Sequence, residues 1–132
     1  MKNTLLTLLG LFLMANVVMS AGTANPTPVE VWTGGDDGLT QRLRDEIEHK
    51  FKSSSDFVLS SGKKAGTLIV TIPTHVAWTT EGARTHLRYS VEFSSSDGKV
   101  LKKSSGSCWD DNLTECAAQT YREAQKTAHK LH

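Results

Sequence analysis

The chain has 132 residues, 38% of them hydrophobic, with 15 Lys and Arg against 14 Asp and Glu. Charge this evenly balanced argues against a nucleic-acid binder, whose phosphate contacts need an excess of Lys and Arg. It equally disfavours a protein held to a membrane surface by a basic patch.

The N-terminus carries one positive charge at Lys2, then an apolar run from Leu5 to Met19 broken only by Thr7, Gly10 and Asn16. Ser20, Ala21, Gly22, Thr23 and Ala24 follow. A basic start, an apolar segment and a small-residue exit form the pattern of a cleavable signal peptide, here residues 1–24. The run is shorter than the roughly 20 apolar residues that cross a bilayer, and no basic stop signal follows it. Cleavage after Ser20, Ala21 or Ala24 fits, and Pro26 and Pro28 just beyond favour Ala24. No cysteine lies at the exit to take a lipid, so no stable membrane anchor is expected. The expected mature protein is one domain, residues 25–132, periplasmic or secreted. Losing Lys2 leaves it with equal numbers of basic and acidic residues.

Asn25 to Val29 is Pro-rich and reads as a mobile or extended lead-in, with Val31 and Trp32 able to pack onto the domain. Gly34-Gly35-Asp36-Asp37-Gly38 is a turn. It lacks the further carboxylates and closing Glu of a calcium loop, so Asp36 or Asp37 is read as a helix cap. A helix follows over Leu39 to Lys52, its apolar stripe being Leu43, Ile47 and Phe51 after Leu39. Phe57-Val58-Leu59 is a short strand, and Ser60 to Gly66 a turn-rich link. Thr67 to Thr79 reads as a second strand with the even positions inward, which makes Trp78 core or rim. Pro73, unable to donate to a ladder, marks a bulge or an edge within it. The third strand alternates most cleanly: Leu87, Tyr89, Val91 and Phe93 against His86, Arg88, Ser90 and Glu92. Ser95-Ser96-Asp97-Gly98 is a hairpin signal. The strand after it starts at Lys99 and runs towards Ser107, with Lys102 and Lys103 suiting an exposed edge. A last helix opens at Asn112, with Glu115 completing a capping box unless Asp111 caps instead. Leu113, Ala117, Tyr121, Ala124, Ala128 and Leu131 make its stripe.

The expected fold is therefore α+β in the order α-β-β-β-β-α: a four-stranded, mainly antiparallel sheet with two helices on one face and the other face wet. In an oxidising compartment the pair Cys108 and Cys116 reads as a disulfide tying the fourth strand to the last helix.

Catalytic chemistry finds little support. A four-residue loop, Glu81 to Arg84, sets Trp78 opposite Leu87, Val76 opposite Tyr89 and Ile72 opposite Phe93. His86 then faces Thr79 and His75 faces Ser90, about 13 Å apart along the strands and too far to share an ion. His129 and His132 sit on a helix end that is expected to fray. No G-x-S-x-G is present, and the acids fall in caps, turns and a solvated helix face. No enzyme, metal or cofactor is expected. Asn112-Leu113-Thr114 fits a glycosylation sequon, which matters only in a eukaryotic secretory pathway.

What remains is surface. The candidate binding residues are His75, His86, Arg88, Ser90 and Glu92 on the wet face, with Trp109 and Trp32 as aromatic anchors. The segments Leu39 to Phe51, Asp56-Phe57-Val58-Leu59, Gly66 to Val76, and Tyr89 to Val100 through Asp97-Gly98-Lys99-Val100 carry a resemblance. In order and type they resemble small bacterial periplasmic accessory domains, of the kind in lipoprotein activators of penicillin-binding proteins and at the N-terminus of the Tol-system propeller protein. The chain departs from that pattern by its disulfide and by lacking a lipobox Cys. The resemblance implies a protein-binding accessory role and supplies no functional residues. The expected function is a non-catalytic exported protein that binds another envelope macromolecule, with a homodimer left open. The alternatives are an immunity or inhibitor protein acting on a toxin or hydrolase, and a small-ligand carrier or enzyme.

Overall fold

The computed structural model describes residues 25–60 and 64–131, so the expected signal peptide, the centre of the Ser60–Gly66 link and His132 lie outside the described residues. The elements are β1 Thr27–Thr33, α1 Gly38–Lys52, β2 Phe57–Leu59, β3 Leu68–Ile72, β4 Ala77–Glu81, β5 Arg84–Ser95, β6 Val100–Trp109 and α2 Leu113–Ala128. Short 3₁₀ turns, Asp110–Asn112 and His129–Leu131, flank α2. The class is α+β, with both helices over one face of the sheet.

The sheet has six strands and is mixed, which corrects the expected four-stranded, mainly antiparallel one. Its order is β2-β1-β3-β5-β4, and β6 lies on the other side of β5. The strand missed in the sequence is β1, which pairs parallel with β2 and with β3. Two prolines suggested a lead-in, but the ladder accommodates Pro28. Thr27 donates to Asp56 and Val29 accepts from Ser60, each at 2.9 Å, so the odd residues bond towards β2. The nitrogen of Pro28 therefore faces the β3 side, where pairing begins only at Val29 opposite Leu68. No ladder donor is missing. α1 is then the crossover that a parallel β1–β2 pair requires.

The second sequence-predicted strand is in fact two, β3 and β4, broken at Pro73. The predicted register holds for β4, with Trp78 opposite Leu87 and Thr79 opposite His86. It is displaced by two residues for β3, where Val70 and not Ile72 faces Phe93. Five residues, Ile72 to Val76, thus span the place of three, Tyr89 to Val91, on the partner strand. Gly34 permits this connection. A Cβ on Gly34 would stand 2.1 Å from the Pro73 carbonyl oxygen, and the Gly34 N–H donates to the Ile72 carbonyl at 2.7 Å.

The core is one cluster between the sheet and the two helices. Leu43, Ile47 and Phe51 of α1 and Leu113, Cys116, Ala117 and Ala124 of α2 are buried against Val29, Val31, Leu68, Val70, Ile72, Leu87, Val91 and Phe93. Phe51, Phe57 and Tyr121 form an aromatic triangle with centroids 4.9 to 5.7 Å apart. Trp78 corrects the parity reading: it shares the helix-side face with Leu87 but is 60% exposed. β4 lies on the sheet edge, and all five of its residues are exposed.

The α1 cap is Asp37, whose carboxylate accepts from the Thr40 N–H at 3.0 Å. The capping box expected at α2 does not form. Asn112 occupies the cap position without capping any N–H, and its Oδ1 accepts from the Thr114 hydroxyl at 2.9 Å. Asp111 instead pairs with Arg84.

Candidate binding face

The face away from the helices is built by strand alternation. With Leu87, Tyr89, Val91 and Phe93 turned to the core, β5 presents His86, Arg88, Ser90 and Glu92 outward. Register on β6 places Trp109 beside His86, Ser107 beside Arg88, Ser105 beside Ser90 and Lys103 beside Glu92. Trp32 of β1 enters the same face opposite Thr71, which is itself opposite Glu92. The sequence-predicted residues on strands therefore share one surface, with Trp32 at one end and Trp109 at the other.

The two tryptophans differ. Trp32 is 55% exposed. Trp109 is half-buried and engaged: the Arg84 guanidinium lies 4.2 Å from its ring centroid, and the His86 ring meets it edge-on at 4.9 Å. Arg84 is held in turn by Asp111 through two bonds of 3.0 and 2.9 Å, and this pairing lowers the Asp111 pKa. The Thr85 N–H donates to Asp110 at 3.1 Å. The stack braces the end of the sheet where the Cys108–Cys116 disulfide joins β6 to α2, so Trp32 is the freer anchor.

His75 departs from its expected place on a strand opposite Ser90. It stands in the β3–β4 connection, 61% exposed, and its Nδ1–H donates to Asp37 Oδ1 at 2.5 Å. Asp37 also accepts from the hydroxyl of buried Thr40 at 2.6 Å, while that hydroxyl oxygen accepts from the Val76 N–H at 3.1 Å. One carboxylate thus caps α1 and pins the connection. The Thr40 and then the His75 hydrogen bonds hold the Asp37 pKa well below the carboxylate range, and Asp37 raises that of His75. The sequence signal for this pair was weak: Asp37 read as a cap and His75 as a strand residue, and only the bulge at Pro73 brings them together.

Between this connection and the β5–β6 ladder lies a shallow hollow of about 570 Å³. His75 and Thr74 form one wall, and Arg88, Ser90, Ser105 and Ser107 line the rest. A second hollow continues along the strands past Glu92 and Lys103. Beneath the sheet, Tyr89 donates to the Cys116 carbonyl at 2.9 Å. This fit requires Gly106, because a Cβ there would stand 2.6 Å from the Tyr89 hydroxyl. Gln119 clamps the Ser107 backbone, accepting from its N–H at 3.3 Å and donating to its carbonyl at 3.1 Å. Among the described residues no group of three or more His, Cys, Asp or Glu is placed to hold a metal ion. No helix among them is long and apolar enough to cross a membrane.

These features define a small disulfide-bonded α+β domain with a helix-covered face and an open, polar, shallowly hollowed one. No protein-family model matches the chain, and no curated protein is similar to it in sequence. Its fold is similar to that of a single-residue variant of the PelC dodecamer from Paraburkholderia phytofirmans, with a TM-score of 0.55 at 10% identity over 74% of this chain and 85% of that one. A minor lipoprotein from Acinetobacter baumannii matches more loosely, with a TM-score of 0.46 at 11% identity over 79% and 94% of the two chains. Likeness at such identity shows the fold alone.

Proposed function

We propose that this is an exported, non-enzymatic protein of the periplasm or extracellular space that works by binding another envelope macromolecule through its open sheet face. The observation that carries the reading is the face itself. It is a rigid ladder of side chains, mixed in charge, with an exposed aromatic at one end. Rigid presentation with an aromatic anchor is what an interface needs. The disulfide supports the compartment. The resemblance to periplasmic accessory domains is in keeping with an adaptor role.

The test is retention of a partner from native envelope extract. Arg88→Glu and Trp32→Ala should each weaken capture while leaving the fold intact, and Lys50→Glu, on α1 away from this face, should not. Capture insensitive to both face variants would refute the reading.

Self-association is a second reading, favoured by the β4 edge. Its five exposed residues include Trp78 and neither Lys nor Pro, the residues that usually discourage edge pairing. The PelC structure, similar in fold, is a dodecamer. Sedimentation equilibrium of the wild type against Thr79→Pro should detect loss of any assembly built on that edge.

A further inference from the structure

We infer that the hollow bounded by His75, Arg88, Ser90, Ser105 and Ser107 receives a single carboxylate side chain, presented by an acidic segment of a partner protein. The inference rests on the reading of the open face as a binding surface and names the chemistry it would select.

Charge comes first. Arg88 has Ala77 and Ser107 as its cross-strand neighbours, and neither can neutralise it. Among the described residues Arg88 takes part in none of the ion pairs. The cations around it are accounted for differently: Arg84 pairs with Asp111, His75 with Asp37 and Lys102 with Glu123, and Lys103 stands opposite Glu92. The hollow thus carries one unmatched positive charge. A monoanion balances it, whereas a phosphate dianion would keep an uncompensated charge. The planar guanidinium fork also fits a carboxylate through two parallel bonds.

The hydroxyls come second. Ser90 and Ser105 are cross-strand partners, and Ser107 adjoins Arg88. No hydrogen bond occupies the hydroxyl of any of the three among the described residues. They are donors held ready by the ladder, and the Gln119 clamp fixes the backbone at Ser107. Donors fixed before binding cost little ordering entropy when the ligand arrives.

Shape selects the source of the carboxylate. The hollow is open, so it can seat a protruding side chain, but it cannot enclose a free metabolite as small-molecule sites do. It offers no exposed Trp or Tyr ring on which a sugar could stack: Tyr89 is turned to the core, Trp109 is covered by Arg84 and His86, and the His75 ring in the wall is held by Asp37. The adjoining hollow past Glu92 and Lys103 leaves room for the rest of an extended chain.

The test is an NMR titration of the intact, disulfide-bonded, isotope-labelled protein with the blocked peptide acetyl-Gly-Ser-Glu-Ser-Gly-amide. Saturable shifts are expected at the amides of Ser90, Ser105 and Ser107 and at the Arg88 side-chain N–H. Changing Glu to Gln in the peptide, or Arg88→Gln in the protein, should weaken binding at least tenfold. Arg88→Lys, which keeps charge without the fork, should weaken it several-fold. Equal shifts with the Gln peptide, or unchanged affinity in Arg88→Gln, would overturn the proposal. Tighter binding of inorganic phosphate would overturn the monoanion argument, and acetate binding as tightly as the peptide would overturn the polypeptide source. Capture of a partner that is lost in Trp32→Ala but not in Arg88→Gln would sink this inference and leave the binding-face reading standing. Peptide shifts without any retained macromolecule would uphold the carboxylate chemistry of the hollow and overturn the binding-face reading together with the partner-protein source.

Discussion

Removing the Asp37 carboxylate tests how the helix and the β3–β4 connection are joined. Asp37→Ala deletes the bond from the Thr40 N–H, the acceptor for the buried Thr40 hydroxyl and the partner of His75. Loss of an N-cap costs about 1 kcal/mol. A buried hydroxyl left without its acceptor adds roughly 1–2 kcal/mol. The His75 contact is exposed and adds little in water. Destabilisation of about 2–3 kcal/mol is expected, corresponding to a fall in Tm of roughly 10–20 °C for a domain of this size. Urea unfolding followed by tryptophan fluorescence measures it, with Asp36→Ala as the control at below about 0.5 kcal/mol. Asp37→Asn should lose less than Asp37→Ala, because the amide oxygen still caps, but it should alter the pH profile. The folded Asp37 pKa is depressed from 3.8, so its contribution is present above that value and lost as pH falls through the folded pKa. The folded His75 pKa is raised from 6.5, so its contribution is full below that value and lost as pH rises through the folded pKa. The pair therefore stabilises most between about pH 4 and pH 6.5, and Asp37→Asn should flatten that maximum. Equal loss in Asp37→Ala and Asp36→Ala, or an unchanged pH profile in Asp37→Asn, would refute the reasoning.

Replacing both Cys108 and Cys116 by Ser reopens a loop of sequence separation 8, with an expected loss of about 2.5 kcal/mol on the chain-entropy model, read by urea unfolding. Thiol titration of protein from the native compartment, denatured without reductant, should find no free thiol at these two positions. Phe51→Ala removes a fully buried ring from the Phe57–Tyr121 triangle and should cost about 3–5 kcal/mol by differential scanning calorimetry. Gly34→Ala forces a Cβ against the Pro73 carbonyl and should cost about 3 kcal/mol or more. Amide exchange should then be fastest at Thr74 to Val76, where the connection loses its seat.

Much of the architecture was legible as periodicity. The fourfold repeat of Leu43, Ile47 and Phe51 located α1, and the alternation of Leu87 to Phe93 located β5 and its buried face. Short-range chemistry was equally plain. Asp37 caps its helix, Gly98 at φ +95° closes the hairpin, and Cys108 meets Cys116. These features depend on residues within one or two turns of each other, so their physics is written locally.

The rest depended on pairings that no local window contains. β1 hid behind Pro28, because its register against two strands is what excuses the missing N–H. Trp78 kept its predicted partner and still came out exposed, since parity gives the face of a strand but not whether a helix covers it. Asp37 and His75 are 38 residues apart, and the two extra residues at Pro73 bring them together. The open face itself turns on one irregularity between Phe93 and Ser94. Without that shift, the register set by the hairpin turn would pair Leu87 with Ser107 and turn Trp109 inward. With it, Cys108 points into the core to meet Cys116, and Ser105, Ser107 and Trp109 join Arg88 outside. A one-residue slip reverses every side chain of a strand, so sequence alternation determined which residues could form a face, and tertiary pairing decided which of them did.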